Sequence, residues 1–326
     1  MAERKSISKT RKPGAKALVS VVLSFRNEAD VLIELIRRLE AVFAEQPEDF
    51  ELVFVNDDSN DASLDLLTEA RGDNKRIKII NMSRPFGYAE CLKAGMARAS
   101  GDAVISIDAD LQDPPEVITE ILSRWRDGAD VVYTVRTGRK GEPVFRMIVT
   151  WIAYRIIRSF SPLPLPVDAG DFRLMSKRVV EEFLRLDESY PYMRGLAMWV
   201  GFKRAAVKSE REARKAGESH YPGTFSFGAL QSFVAGITSF SMVPLFFVLV
   251  VGIIATAASA LGLVALFFGA PFSEGTAMVL FLVLLWGSLM AALGIVAVYI
   301  SRIYSDVRRR PGYIVRDTIG FPPRND

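Results

Sequence analysis

The chain has 326 residues, 50% of them hydrophobic and 24% charged, with a formal net charge of +3. That balance is too weakly basic for a nucleic-acid binder, and no basic stripe with interleaved aromatics occurs. The single cysteine, Cys91, excludes an intramolecular disulfide and a cysteine-built zinc site, as suits a reducing compartment.

Residues 1–17 are basic and lack the apolar core of a signal peptide, so they read as a disordered tail. Residues 18–215 carry strand and helix patterns in alternation, at about the normal size of one domain. Leu18 to Phe25 is a β-branched apolar strand, and Asp30 to Ala44 has helical spacing at Val31, Leu35, Leu39 and Val42. Phe50 to Val55 and Ile77 to Ile80 are further strands around a helix over Ala62 to Ala70. A helix over Gly87 to Ala99 and a strand over Ala103 to Ile107 follow. Pro114-Pro115 opens a helix to Arg126, Ala129 to Val135 is a strand, and Val144 to Arg158 reads as a long helix before the Pro-rich stretch Ser161 to Pro166. The alternation predicts an α/β domain with a mostly parallel sheet covered on both faces, with ligands at the carboxyl ends of the strands.

Residues 216–242 contain the aromatic-rich, uncharged segment Thr224 to Phe240, which suits a helix lying in a membrane interface. Val243 to Phe268 and Ala277 to Ile300 are two apolar runs, and no Asp, Glu, Lys or Arg occurs between Glu218 and Glu274. A hydrocarbon core of roughly 30 Å needs about 20 helical residues, so residues 243–300 are expected to form a two-helix transmembrane hairpin. Arg302, Arg308, Arg309 and Arg310 follow the second run, whereas the connector carries only Glu274. The positive-inside rule therefore puts the head, both termini and the 301–326 tail in the cytoplasm, with the lipid bilayer as a partner.

Two acidic clusters fall at strand ends: Asn56-Asp57-Asp58 and Asp108-Ala109-Asp110. In a parallel sheet both lie on one edge. Asp108 and Asp110 supply hard oxygen donors one residue apart and Gln112 adds an amide oxygen, a donor set for a divalent cation that leaves positions free for phosphate. A second acid at Asp57 or Asp58 and the close-approach loop Arg84-Pro85-Phe86-Gly87-Tyr88 complete the pattern of a nucleotide-sugar site.

These motifs resemble family 2 glycosyltransferases of the GT-A fold, in the polyisoprenyl-phosphate glycosyltransferase group that includes dolichyl-phosphate mannose synthase. The resemblance covers nearly the whole chain, through Asn27-Glu28, Asn56-Asp57-Asp58-Ser59, Arg84-Pro85-Phe86-Gly87, the run from Ile107 to Glu116, Gly170-Asp171-Phe172-Arg173 and Gly217-Glu218-Ser219-His220-Tyr221-Pro222. It implies nucleotide contacts at Asn27, Glu28, Asp57, Gly87 and Asp108, with Asp57 on the uracil, and Mg2+ or Mn2+ at Asp110 and Gln112. Arg136, Arg173 and Arg214 match basic positions on the phosphate and acceptor side. Asp168 and Asp171 are both candidates for orienting the nucleophile or acting as its base. Three departures stand out: the usual D-D-G-S is Asn56-Asp57-Asp58-Ser59, Ser24 and Arg26 replace a proline and a tyrosine, and His220 occupies a lysine position at the acceptor phosphate.

The resemblance implies a bacterial inner-membrane enzyme that inverts configuration as it moves a sugar from a nucleotide, UDP by expectation, to an undecaprenyl-type phosphate. It also suggests a homo-oligomer, and Gly252, Gly262, Gly287 and Gly294 would allow close helix contact. The alternatives are a processive polysaccharide synthase, for which no Q-x-x-R-W motif occurs, and a catalytically silent membrane scaffold.

Overall fold

A computed structural model describes residues 16–139, 149, 155, 158–159, 169–186, 188–189, 191–212, 234, 236–239, 241, 243–268 and 274–322. The helix expected over Val144 to Arg158, the Ser161 to Pro166 stretch and the interfacial segment Thr224 to Phe240 lie largely outside these residues.

The first half alternates as the periodicity predicts. It runs β1 (Leu18–Phe25), α1 (Ala29–Ala44), β2 (Asp49–Asn56), α2 (Ser63–Asp73), β3 (Ile77–Met82), α3 (Tyr88–Arg98) and β4 (Ala103–Asp108). A 3₁₀ turn (Pro115–Val117), α4 (Ile118–Arg126), β5 (Val131–Arg139), β6 (Ala169–Ser176), α5 (Lys177–Leu184), α6 (Met193–Trp199) and β7 (Arg204–Arg211) follow. The prolines of Pro114-Pro115 start the 3₁₀ turn, where a missing N–H costs nothing.

Successive residues of β1 face opposite sides of the sheet, and both sides are buried. Val19, Val21, Leu23 and Phe25 join a core with Leu32, Leu35 and Leu39 of α1. Val22 joins the other, with Cys91 and Leu92 of α3 and Val53 and Val55 of β2. The helix α3 approaches closely at Gly95, where a Cβ would collide with Val22 and lie 3.1 Å from Val55.

The sheet order is β7-β5-β6-β4-β1-β2-β3-β8, with β8 spanning Val315–Ile319. Pairings β1–β2, β1–β4, β2–β3 and β5–β7 are parallel, while β4–β6, β5–β6 and β3–β8 are antiparallel. The sheet is therefore mixed. Its antiparallel members are β6, whose Gly-Asp-Phe-Arg motif lies within a strand, and β8, which comes from the segment after the apolar helices.

Those helices are α7 (Val243–Phe267) and α8 (Glu274–Arg308), which pack against each other. Among the described residues one stretch, Leu284–Arg308, is long and apolar enough to cross a membrane. Leu261 and Trp286 are 70% and 66% exposed, so the pair presents an apolar surface far too large for water. The helix α8 continues beyond Ile300 because an apolar run measures contact with hydrocarbon, not the length over which helical hydrogen bonds persist.

At the amino edge of the sheet, buried Glu51 holds three strands together. Its carboxylate accepts hydrogen bonds from Ser20 Oγ at 2.5 Å, Ser100 N and Ser100 Oγ at 2.7 Å each, and Lys78 Nζ at 2.5 Å. Burial alone would raise its pKa, but the bonds to Lys78, Ser20 and Ser100 outweigh that and lower it below the usual 4.5. The stabilisation is complete above the ordinary carboxylate range and is lost as pH falls through the lowered folded-state value. Glu51→Ala should cost about 3 kcal/mol. It should also flatten the acid limb of the thermal-unfolding midpoint measured against pH.

Candidate active site

Strand register brings the predicted clusters to one edge. Phe25 at the end of β1 pairs with Asn56 on one side, and Ser24 pairs with Asp108 on the other. The antiparallel strand β6 enters beside β4, with Arg173 opposite Ser106, and Ser106 Oγ donates to the Asp171 carbonyl at 2.9 Å. Arg136 near the end of β5 pairs with Ser209 of β7, which carries Arg211 to the same edge.

The residues expected to contact a nucleotide form one connected loop system. Asn27 adopts φ +56, accepts the Asn60 N–H at its side-chain oxygen (3.0 Å) and donates its own N–H to Ser59 Oγ (3.1 Å). Glu28 is buried at the start of α1, its N–H bonded to Ser63 Oγ at 2.9 Å. Asp57 is also buried, and its two oxygens accept the backbone N–H groups of Phe86 at 2.7 Å and Gly87 at 3.0 Å. Asp57 thus holds the Arg84-Pro85-Phe86-Gly87 loop against the end of β2, and Gly87 takes φ +90, a conformation glycine adopts without a Cβ penalty. Asp58 takes φ +58, which explains why glycine is usual at this position of D-D-G-S; aspartate tolerates the left-handed region better than most residues.

The carboxylates lie next to these loops. Asp110 Oδ1 accepts the Gln112 N–H at 3.1 Å across Leu111, which itself has φ +57, and Asp110 Oδ2 stands 3.8 Å from Arg211 Nη2. Gln112 is bound to the end of β7: its carbonyl accepts the Glu212 N–H at 2.9 Å and its Nε2 donates to the Glu212 carbonyl at 3.5 Å. Asp113 is 1% exposed, 3.7 Å from Arg136, and neither of its oxygens accepts a hydrogen bond among the described residues. Burial pushes its carboxyl up to about 6 against the pull of Arg136, and Asp108 adds to the rise.

On β6, Arg173 is buried and committed to the protein. It donates to the carbonyls of Met193 at 3.0 Å and of Gly170 and Asp171 at 3.3 Å each, and to Asp171 Oδ1 at 2.8 Å. Asp171 also receives Arg194, at 3.0 Å from Nε and 2.5 Å from Nη2 to Oδ2. Burial raises the Asp171 carboxyl above its usual range, opposed by Arg173 and assisted by Asp108. Burial, then the charges of Asp108 and Asp171, hold the Tyr88 hydroxyl neutral far beyond the ordinary phenol range.

The structure therefore gathers Asn27, Glu28, Asp57, Gly87, Asp108, Asp110, Gln112, Arg136, Asp171 and Arg173 on one edge. Asp168, Arg214 and His220 lie outside the described residues. Three members had not been singled out from sequence, Asp113, Arg194 and Arg211, and Tyr88 had been named only as the end of the close-approach loop. Asp113 stood inside the acidic string but beside two prolines, where it reads as a turn former. Arg211 stood in a charge run that reads as solvated surface until β7 is recognised as a strand ending at the same edge.

Asp57→Ala should remove both acceptors from the loop and cost about 1–3 kcal/mol. Hydrogen exchange at the Phe86 and Gly87 amides should change from protected to fast; unchanged protection would contradict the clamp.

Comparison with known proteins agrees with this architecture. Residues 20–184 match Glycosyl transferase family 2. The chain is 40% identical to an uncharacterized glycosyltransferase, YkcC, of Bacillus subtilis (strain 168) over 93% of this chain and 94% of the relative. It is 33% identical to the bactoprenol glucosyl transferase of Shigella phage SfII over 91% of this chain and 97% of the relative. Among solved structures, glucosyl-3-phosphoglycerate synthase of Mycobacterium tuberculosis with Mn2+, UDP-glucose and phosphoglyceric acid aligns at 20% identity and a TM-score of 0.46, covering 68% of this chain and 80% of that one. The chain belongs to glycosyl transferase family 2 and is a glycosyltransferase.

Proposed function

We propose that the chain is an integral-membrane, inverting glycosyltransferase that moves a sugar from a UDP-linked donor to a polyisoprenyl phosphate of the undecaprenyl type. The observation that carries this reading is the charge arrangement at the strand edge, where buried Asp110 and Asp113 face Arg211 and Arg136. Acids suit a divalent cation and arginines suit phosphates, so the edge fits a reaction in which both reactants are anionic. Relatives named as bactoprenol glucosyl transferases, aligned over 91% of this chain, support the lipid acceptor.

The residues fit Mg2+ or Mn2+. Asp110 and Gln112 offer hard oxygen donors, and next to them in the chain Asp113 is buried with neither oxygen hydrogen-bonded among the described residues. Among the described residues no three acidic, histidine or cysteine side chains form a complete cage, which suits a cation that keeps water and takes diphosphate oxygens as ligands. When bound, the cation supplies charge to stabilise the departing diphosphate.

The lipid phosphate has a second pKa of about 6, so its oxygen is already anionic at neutral pH and needs no strong base. That oxygen bonds to the anomeric carbon as the carbon–oxygen bond to the nucleoside diphosphate breaks, and the diphosphate leaves with the electron pair. Asn27, Glu28, Asp57, Gly87 and Asp108 hold the nucleotide, and Arg136 faces the phosphates. Both oxygens of Asp171 are occupied by Arg173 and Arg194, so we assign Asp171 to holding these arginines and Asp168 to orienting the nucleophile. Arg214 and His220 hold the acceptor phosphate.

The α7 and α8 helices both cross the bilayer in this reading, with head and termini in the cytoplasm, and copies assemble through them. Two experiments test it. Transfer of labelled sugar into extractable lipid should require Mg2+ or Mn2+ after chelation and be abolished in Asp110→Asn without loss of folding; full turnover by that variant would remove Asp110 as a ligand. In a Cys91→Ala background, an impermeant thiol reagent should label Ser273→Cys from outside the cell and Arg310→Cys only after lysis. The reverse pattern would overturn the orientation.

A further inference from the structure

The strand β8 follows directly from the membrane helix: α8 ends at Arg308, and Val315 lies opposite Met82 at the carboxyl end of β3. Its side chains continue inward. Asp317 Oδ1 accepts from Asn81 Nδ2 at 2.5 Å, Asn81 Oδ1 accepts from Asn56 Nδ2 at 3.1 Å, and Asn56 Oδ1 accepts the Ser59 N–H at 2.8 Å. Asn56 and Asn81 are 1% and 2% exposed, so the bond between the two amides is closed to solvent.

The relay has a direction. An ionised carboxylate only accepts, so Asp317 turns the amide of Asn81 with its NH2 outward. Asn81 then offers its oxygen to the NH2 of Asn56, which leaves the Asn56 oxygen for the Ser59 N–H. Turning either amide would set donor against donor at one end. The conformation of the 56–59 loop is thus tied, through two buried amides, to a residue beyond the last membrane helix.

A second contact comes from the neighbouring residue. Arg316 Nη1 stands 3.7 Å from Asp58 Oδ1, and its Nε is 3.0 Å from Asp317 Oδ2. Asp58 stands where glycine is usual in D-D-G-S, so it adds a negative charge to the 56–59 loop. Arg316 offsets that charge.

We propose that β8 is part of the donor site: Asp317 and Arg316 are positioning residues that set and neutralise the 56–59 loop, so donor binding requires the segment after α8 to be seated on β3. This rests on the reading of residues 56–59 as a nucleotide contact.

The test uses the full chain in detergent, titrated calorimetrically with UDP, GDP, CDP and dTDP in the presence of Mn2+. Asp317→Ala should weaken the best-bound nucleotide about tenfold, the loss of one part-buried hydrogen bond to the buried Asn81 amide. Asp317→Asn keeps an acceptor oxygen and should stay within about threefold of wild type. The lipid-phosphate KM should not move in either. Arg316→Ala, at a half-exposed side chain, should weaken the same nucleotide about threefold at low salt. Adding Asp58→Gly should restore it.

Asp57→Ala separates the outcomes. If it weakens the nucleotide while Asp317→Ala and Arg316→Ala do not, the inference fails and the nucleotide reading stands. If none of the three changes affinity, or no nucleotide binds the wild type, the nucleotide reading fails and takes the inference with it. Equal losses in Asp317→Ala and Asp317→Asn, with lowered melting temperatures in both, would reduce Asp317 to a fold residue and overturn its positioning role.

Discussion

Much of this molecule depends on a concentration of buried charge at one edge of one sheet. Asp110, Asp113 and Asp171 are brought together with Arg136, Arg173 and Arg211 on strands and the loops that follow them, and with Arg194 on α6, where water reaches the side chains poorly. Removing charges from water is costly, and their mutual attraction repays it only when geometry is good and remaining polar groups are bonded. On the Arg173–Asp171–Arg194 side that condition is met within the chain, through carbonyls and forked ion pairs. On the Asp113 side neither carboxylate oxygen accepts a hydrogen bond among the described residues, and burial raises its pKa to about 6. The first half is a scaffold, and in the proposed reading the second is where reactants of complementary charge bind.

The sheet makes this concentration possible. Parallel strands β1, β2 and β4 have both faces buried, so their polar side chains collect at the ends, and the antiparallel entry of β6 brings Asp171 and Arg173 to the same edge. The turns out of these strands use backbone conformations that few residues adopt. Asn27, Asp58 and Leu111 all have positive φ where the chain turns out of β1, β2 and β4, and each lies within a residue or two of a proposed donor or cation contact.

The first half of the fold was legible because its signals are local. Apolar runs such as Leu18 to Phe25 and the spacing of Val31, Leu35 and Leu39 report burial directly, and the rule that ligands sit at strand ends then located Asp57, Asp108 and Asp110. The second half was less legible because its elements are short and polar. The sequence Val315-Arg-Asp-Thr-Ile319 is an edge strand with little to bury, and Arg204 to Arg211 alternates too many charges to resemble one. Missing β7 hid Arg211, and missing β8 hid the relay to Asn56. Arg194 could not be read at all, since its partner Asp171 is set by tertiary packing of α6 against β6 rather than by spacing.

The central claim is that this charged edge joins a sugar to a lipid phosphate in single transfers. The most direct measurement incubates purified protein with UDP-sugars and undecaprenyl phosphate and counts both products, the lipid by mass and the released nucleoside diphosphate by chromatography. The account predicts one nucleoside diphosphate per lipid, and a lipid mass raised by a single sugar residue. Release of nucleoside diphosphate with no change in lipid mass, or lipids carrying a ladder of sugars, would contradict it.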